Sequence, residues 1–407
     1  MDEYLLSLIQ PEQEHIWIGK EPPFAMQALN LLESTNCRVA PIHHTRYQVV
    51  WYYRDLLNRA GEMRWRLALD ECIRMLGARG MLVLRFEQNL YFSVINLKQF
   101  LGRRRGIAVN IEYENIHEGV FTVVFSIERE NVELYRDKSW SFVLLAKGDR
   151  TDNAVAFLQS VRAIDPDHKH QIIVVGPLRP EYTPFGVTCH SREYREELAE
   201  LGRKKNDAVA LAQRANVAIV HDRYVLDPRF LIGFDSFGYD FDIVAVKQIY
   251  ASGEDFPFYG AIESRDLVWA QPVHCSDYDS LLPGQFVNGG FMVFKSHMSR
   301  AIGFNKLIFW NQAEDLELTQ EFMRDSLPPR VNVHSLAVTS APSTYTIAFR
   351  PQKRRLRRVS TSQPIKGLVL SMAVSVFALL PLSLRNRAVS TMRKRGWLYR
   401  VKRRLLG

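Results

Sequence analysis

The stretch SFVLLAKGDRTDNAVAFLQSV, residues 141–161, decides the fold. Ser141 to Ala146 form an apolar run without polar alternation, the pattern of a strand buried on both faces. Four polar residues follow, Lys147-Gly148-Asp149-Arg150, and from about Asp152 to Ile164 the apolar positions recur at helical spacing. Gln171 to Val175 (QIIVV) repeats the buried strand. A polar helix is expected over roughly Glu193 to Arg214, and Val217 to Val220 is a third strand. A βαβαβ succession closes into a parallel sheet through right-handed crossovers. Ligands on such sheets bind beyond the carboxyl ends of the strands. The polar tips Lys147 to Arg150, Gly176-Pro177 and His221 to Arg223 should therefore share one rim.

Two later stretches are expected to meet that rim. Asn288-Gly289-Gly290 puts a glycine pair before another apolar run, and Ala313-Glu314-Asp315-Leu316-Glu317 puts an acidic pair in a helical-looking segment. Paired glycines let backbone approach a ligand where any side chain would collide. A carboxylate fixed on a helix is a suitable general base.

Upstream, strands and helices also alternate. Strands are expected at His15–Gly19, Arg38–Ile42, Gln48–Tyr53 and Met81–Phe86, with helices at Ala25–Ser34, Trp65–Leu76 and about Leu90–Leu101. Ile107–Ile116 and Val120–Ile127 flank Glu118-Gly119 and read as a closing hairpin. The sum is a second, smaller open α/β sheet.

Roughly residues 14–130, within a first domain of residues 1–135, resemble the class I methyltransferase fold. LDECIRMLGARGMLVLRF looks like that family's late helix, glycine turn and strand, and the hairpin looks like its last two strands. The family's glycine-rich cofactor loop is replaced by Gly19-Lys20-Glu21-Pro22-Pro23, and its acidic residue after the second strand by His43-His44. Prolines lack the N–H and fix the backbone, so no S-adenosylmethionine is expected. A non-catalytic scaffold is the reading.

Residues 138–345 resemble the inverting glycosyltransferases of GT-A fold, family 2. Four features carry the resemblance in order: SFVLLAKGDRTDNAVAFLQSV, Arg203-Lys204-Lys205-Asn206, VHDRYVLDP, and the pair FVNGGFMVFKS and FWNQAEDLELTQEF. The resemblance implies a nucleotide-sugar donor held by Ala146, Lys147, Lys205, Asn206, His221, Asp222, Arg223, Gly289 and Gly290. It implies Asp315 as the base, with Glu314 orienting the acceptor or Asp315. The sugar would pass to a glycan or lipid-linked acceptor, in cell-surface polysaccharide synthesis. Where the family carries a DxD triplet, this chain has His221-Asp222-Arg223. Either a divalent cation (Mn or Mg) is held by Asp222 with His221 and His334, or Arg223 itself contacts the phosphates, as a guanidinium is suited to do. The rival reading is a catalytically inactive nucleotide-sugar-binding or scaffolding protein.

Composition adds the rest. Four scattered cysteines, with no CxxC, imply a reducing compartment and no disulfide framework. The polar, acidic opening Met1–Gln13 is not a signal peptide, so a cytosolic start is expected. From Thr346 onward lie 16 of the 53 Lys and Arg and no Asp or Glu, leaving 37 basic against 44 acidic residues elsewhere. This basic tail, 346–407, flanks the uncharged run Gly367–Leu384 and carries Trp397 and Tyr399. It reads as a helical element attached peripherally to the anionic inner face of a membrane, and nucleic acid is not an expected partner. The full-length protein should fractionate with membranes, resist high salt and yield to detergent, whereas a chain ending near Ser343 should not sediment. Both forms remaining in the supernatant would contradict this.

Overall fold

The computed structural model describes residues 3–61, 64–89, 91–195, 199–262, 273–275, 284–309 and 312–342. The basic tail, 346–407, lies outside them. The described chain is mixed α/β, with two large sheets rich in parallel pairs.

The first sheet contains β1 (His15–Ile18), β2 (Gln27–Leu29), β3 (Tyr47–Tyr52), β4 (Leu76–Glu87), β5 (Ile107–His117) and β6 (Val120–Arg129). Its order is β2-β1-β3-β4-β6-β5, with β2, β1, β3 and β4 mutually parallel and β6 and β5 antiparallel additions. After α1 (Glu3–Ser7), the sheet is served by α2 (Arg64–Met75) and α3 (Val94–Arg103). Ser93 caps α3 by accepting the Asn96 N–H, the usual way to satisfy a helix's first donors.

Two expectations fail here. Residues 25–34 do not form a helix. Gln27–Leu29 pair in parallel with Ile16–Ile18, and the Gly19 N–H donates to the Leu29 carbonyl at 2.8 Å. Pairing with β1 outweighs a weak local helical pattern. Residues 38–42 do not form a strand either. The Val39 N–H donates to the Glu71 carboxylate at 3.0 Å and Pro41–His43 make a 3₁₀ turn, so a side chain takes the donor a neighbouring strand would have used.

The second sheet is built from β7 (Trp140–Leu145), β8 (Gln171–Val175), β9 (Thr188–His190), β10 (Asn216–His221), β11 (Tyr224–Leu226), β12 (Ile243–Tyr250), β16 (Phe291–Lys295) and β17 (Arg330–Thr339). A small antiparallel sheet joins β13 (Tyr259–Ile262), β14 (Val273–His274) and β15 (Gly284–Val287). The large sheet runs β11-β17-β12-β16-β10-β7-β8-β9. The run β10, β7, β8 and β9 is parallel, and β16 is antiparallel to both β10 and β12. Crossover helices are α4 (Thr151–Ile164) between β7 and β8, α5 (Leu201–Leu211) before β10 and α6 (Phe230–Phe237) before β12. Then α7 (Ser296–Ile302) and α8 (Glu314–Arg324) follow β16. The expected helix over 193–214 is shorter, since α5 begins only at Leu201.

Both sheets lie in one compact unit, residues 1–352, and a buried ionic cluster joins them. Arg74 is fully buried on α2 and donates to Asp70 (2.8 Å), Asp240 (2.8 Å) and Asp242 (2.5 Å), the last two between α6 and β12. Asp240 also accepts from Arg129 at 2.7 Å, and Asp242 from the Tyr135 hydroxyl at 2.7 Å. Arg104 reaches Asp70 at 2.8 Å, while Glu71 takes Arg38, His44 and Arg330. Burial alone would raise the Asp240 carboxyl, but Arg129 and Arg74 hold it well below the usual range. His44 is thus an interior partner of Glu71, and His43 bonds the Tyr47 hydroxyl at 2.7 Å. Ionic groups this deep persist only when each is matched.

Candidate functional site

Strand order sets the location. From β7 the chain moves to β8 on one side, then returns through α5 to β10 on the other. The order therefore reverses between β7 and β10, whose ends lie level with His221 opposite Leu145. Such a switch point leaves a crevice beyond the strand ends. A cavity of about 240 Å³ occupies it, lined by Ala146, Lys147 and Arg150 after β7, Lys204 from α5, His221 at the end of β10, and Asp222 and Arg223 after it.

The next strand brings in the glycine turn. Because β16 runs antiparallel to β10, with Phe291 opposite Val220, Asn288-Gly289-Gly290 falls beside His221. The His221 N–H donates to the Gly290 carbonyl at 3.0 Å. A Cβ on Gly290 would stand 2.6 Å from Arg223 Nη2 and 3.0 Å from the Tyr224 hydroxyl, so only glycine allows the guanidinium to pack there. Asn288 braces the turn, accepting the Gly290 N–H at 2.9 Å and donating to the Pro257 carbonyl at 2.9 Å.

The acidic pair packs against the glycine turn. Asp315 Oδ2 accepts the Gly289 N–H at 2.8 Å and Oδ1 accepts the Leu316 N–H at 2.9 Å. A Cβ on Gly289 would lie 2.9 Å from Glu314 Oε1, which keeps the glycine and the carboxylates in contact. Ala313, just before the pair, holds left-handed backbone at φ 61°, a conformation that costs a non-glycine residue energy and clusters at functional sites. Burial, then the neighbouring Glu314 charge, pushes the Asp315 carboxyl up to about 6, against the pull of Lys205 and the two N–H donors.

Lys205 ties these parts from beneath. It is fully buried, and its Nζ donates to the Gly289 carbonyl at 2.9 Å and to Glu314 at 3.1 Å. Asn206 holds the backbone of Phe304 with both ends of its amide, at 2.7 and 2.8 Å. Expected as donor contacts, these two residues are placed as supports, and it is Lys204 that lines the cavity. Ala146 is buried, with its N–H on the Val175 carbonyl at 3.0 Å, and Lys147 pairs with Asp149 at 3.2 Å on the exposed rim.

The triplet itself is electropositive in surroundings. His221 is held well below its ordinary range, so neutral, by burial and by Arg223, Lys205 and Lys204. Asp222 is largely buried and lies 3.7 Å from Arg150; burial raises its carboxyl, and Arg150 opposes this. His334 is not brought to Asp222. Thr339 on β17 is the residue opposite Tyr224, and His334 precedes it by five positions, roughly 15 Å of strand. His334 instead borders a separate cavity of about 170 Å³ with Arg38 and Phe237. Among the described residues no three His, Cys, Asp or Glu side chains converge as metal ligands, and no helix is long and apolar enough to cross a membrane.

Arg150 and Asn288 are site residues that the sequence reading quoted within motifs but did not single out. Arg150 closes the polar loop after β7, and Asn288 precedes the glycine pair.

No protein-family model matches this chain, and no curated protein matches it. Among solved structures it is similar to the crystal structure of S. aureus TarS 1-349, at 15% identity over 50% of this chain and 58% of that one, with a TM-score of 0.32. It is also similar to the crystal structure of S. aureus TarS, at 12% identity over 51% of this chain and 38% of that one, with a TM-score of 0.35. The chain thus spans less than two thirds of either structure. Likeness of that degree assigns no family.

Proposed function

We propose that this chain is a glycosyltransferase that moves a sugar from a nucleoside-diphosphate donor to a hydroxyl of a glycan or lipid-linked acceptor, with inversion. One observation carries the reading: the triplet at the end of β10, which lines the switch-point cavity, is linked by hydrogen bonds to the glycine turn before β16, and that turn to the acidic pair opening α8. The links are the His221 N–H on Gly290 and the Gly289 N–H on Asp315.

The chemistry follows from the placement. The diphosphate lies among Arg150, Lys204 and Arg223, and the donor sugar lies beside the Gly289-Gly290 turn, against which the Arg223 guanidinium packs. Asp315 takes the proton of the acceptor hydroxyl as its oxygen bonds the anomeric carbon. The bond from that carbon to the phosphate oxygen breaks, and its electron pair leaves with the nucleoside diphosphate. A carboxylate near 6 is ionised at neutral pH yet basic enough to share a proton in the transition state. Glu314, held by Lys205, sets its charge beside Asp315, while the Gly289 and Leu316 N–H groups keep the Asp315 carboxylate in place. The first sheet, without a glycine-rich loop of its own, serves as a scaffold fixed to the catalytic half through the Arg74 cluster.

The test is turnover of purified protein against UDP-, GDP-, CDP- and dTDP-sugars, reading release of the nucleoside diphosphate. One nucleotide series should be cleaved. Absence of binding and turnover across all four would favour a scaffolding protein instead.

A further inference from the structure

We infer that the diphosphate of the donor is neutralised by the side-chain cations Arg150, Lys204 and Arg223, and not by a carboxylate-held divalent cation. The inference rests on the nucleotide-sugar reading above and concerns how that site holds its ligand.

The donor set of the cleft fits a metal poorly. Magnesium and manganese take oxygen ligands, with one or two carboxylates besides the substrate phosphates and water. Two carboxylates border this cavity. Asp149 is turned to solvent and paired with Lys147 at 3.2 Å. Asp222 lies 3.7 Å from the Arg150 guanidinium and accepts the Lys147 backbone N–H, so it fastens the loop after β7 over the site. No second carboxylate beside Asp222 completes a clamp: the flanking positions carry an imidazole, His221, and a guanidinium, Arg223, and the positions two residues away are Val220 and Tyr224. A dication entering there would meet Arg150, Lys204 and Arg223 at close range, and like charges in a partly buried cleft repel strongly.

The same three cations suit a diphosphate. They come from three elements, the loop after β7, α5 and the loop after β10, and border one cavity. Gly290 seats the Arg223 guanidinium against the turn that faces the sugar. Guanidinium groups bind phosphate oxygens in a fixed bidentate geometry, and lysine adds a mobile charge.

The experiment is titration calorimetry of the full chain with UDP, GDP, CDP and dTDP, first with excess EDTA and then with manganese or magnesium. One nucleoside diphosphate should bind in EDTA, with an affinity that changes less than about threefold when metal is added. Arg223→Gln should weaken that diphosphate by about 10-fold or more, as loss of a charged hydrogen bond does. The same variant should keep its affinity for the matching nucleoside, which shows that it folds, and Arg223→Lys should recover part of the loss. Binding that appears only with metal overturns the inference and leaves the nucleotide-sugar reading standing. Undiminished binding by Arg223→Gln overturns the assignment of that residue. Absence of binding by all four, with or without metal, overturns both.

Discussion

Asp315→Asn should lower turnover by about 10²–10⁴-fold, the usual contribution of a positioned general base. Donor affinity should stay within a few-fold, because the proposed role of the side chain is at the acceptor hydroxyl and not at the diphosphate. The two N–H groups on Asp315, from Gly289 and Leu316, need two acceptor oxygens. An amide supplies one, so the variant should also lose about 1–3 kcal/mol of local stability, in part offset because a buried carboxylate is no longer desolvated. The pH profile separates these effects. Asp315 titrates near 6 and acts as a base only when ionised, so kcat/KM of the native protein should rise with pH through about 6 and level off above. The variant should lack that limb. Equal turnover, or an unchanged limb, would remove Asp315 from the proposed role.

The second large effect is structural. Arg74→Met should destabilise the protein by about 3–5 kcal/mol, the cost of leaving buried charge without its partner. Asp240 keeps Arg129, and Asp242 keeps Tyr135 and a longer contact to Arg104 at 3.7 Å, but each loses its short bond to Arg74. Total stabilities of folded domains are only about 5–15 kcal/mol, so the denaturation midpoint should fall far. A loss under about 1 kcal/mol in the single variant would mean that the cluster does not join the sheets.

How much of this was legible in the sequence depends on the range over which each signal acts. Ser141–Ala146, Gln171–Val175 and Val217–Val220 are short buried runs with polar tips, and they fall on β7, β8 and β10. Their order alone brings the loops after β7 and β10 together. The hairpin at Glu118-Gly119 was equally local. Over residues 25–34 the apolar positions Met26, Leu29, Leu31 and Leu32 fit a helix as well as an edge strand, and only β1, which pairs with Gln27–Leu29, decides. Asp240 and Asp242 sit in the loop between α6 and β12, and their partner Arg74 lies 166 and 168 positions away, a separation that no local pattern reports. His334 failed as a partner of Asp222 for a related reason. Strand β17 lies between β11 and β12, and a residue count does not reveal which end of it reaches the cleft. Lys204 and Lys205 differ by one helical step, about 100°, which places one on the cavity and the other in the interior; a basic run alone cannot distinguish them.

The most direct measurement is a crystal structure of the full chain with a non-hydrolysable nucleoside-diphosphate sugar bound. The account predicts the diphosphate in the crevice between the ends of β7 and β10, contacted by Arg150, Lys204 and Arg223. It predicts the anomeric carbon over Gly289-Gly290, with Asp315 on the face opposite the leaving phosphate. A nucleotide bound elsewhere, such as in the cavity beside Arg38 and His334, or a sugar directed away from Asp315, would contradict it.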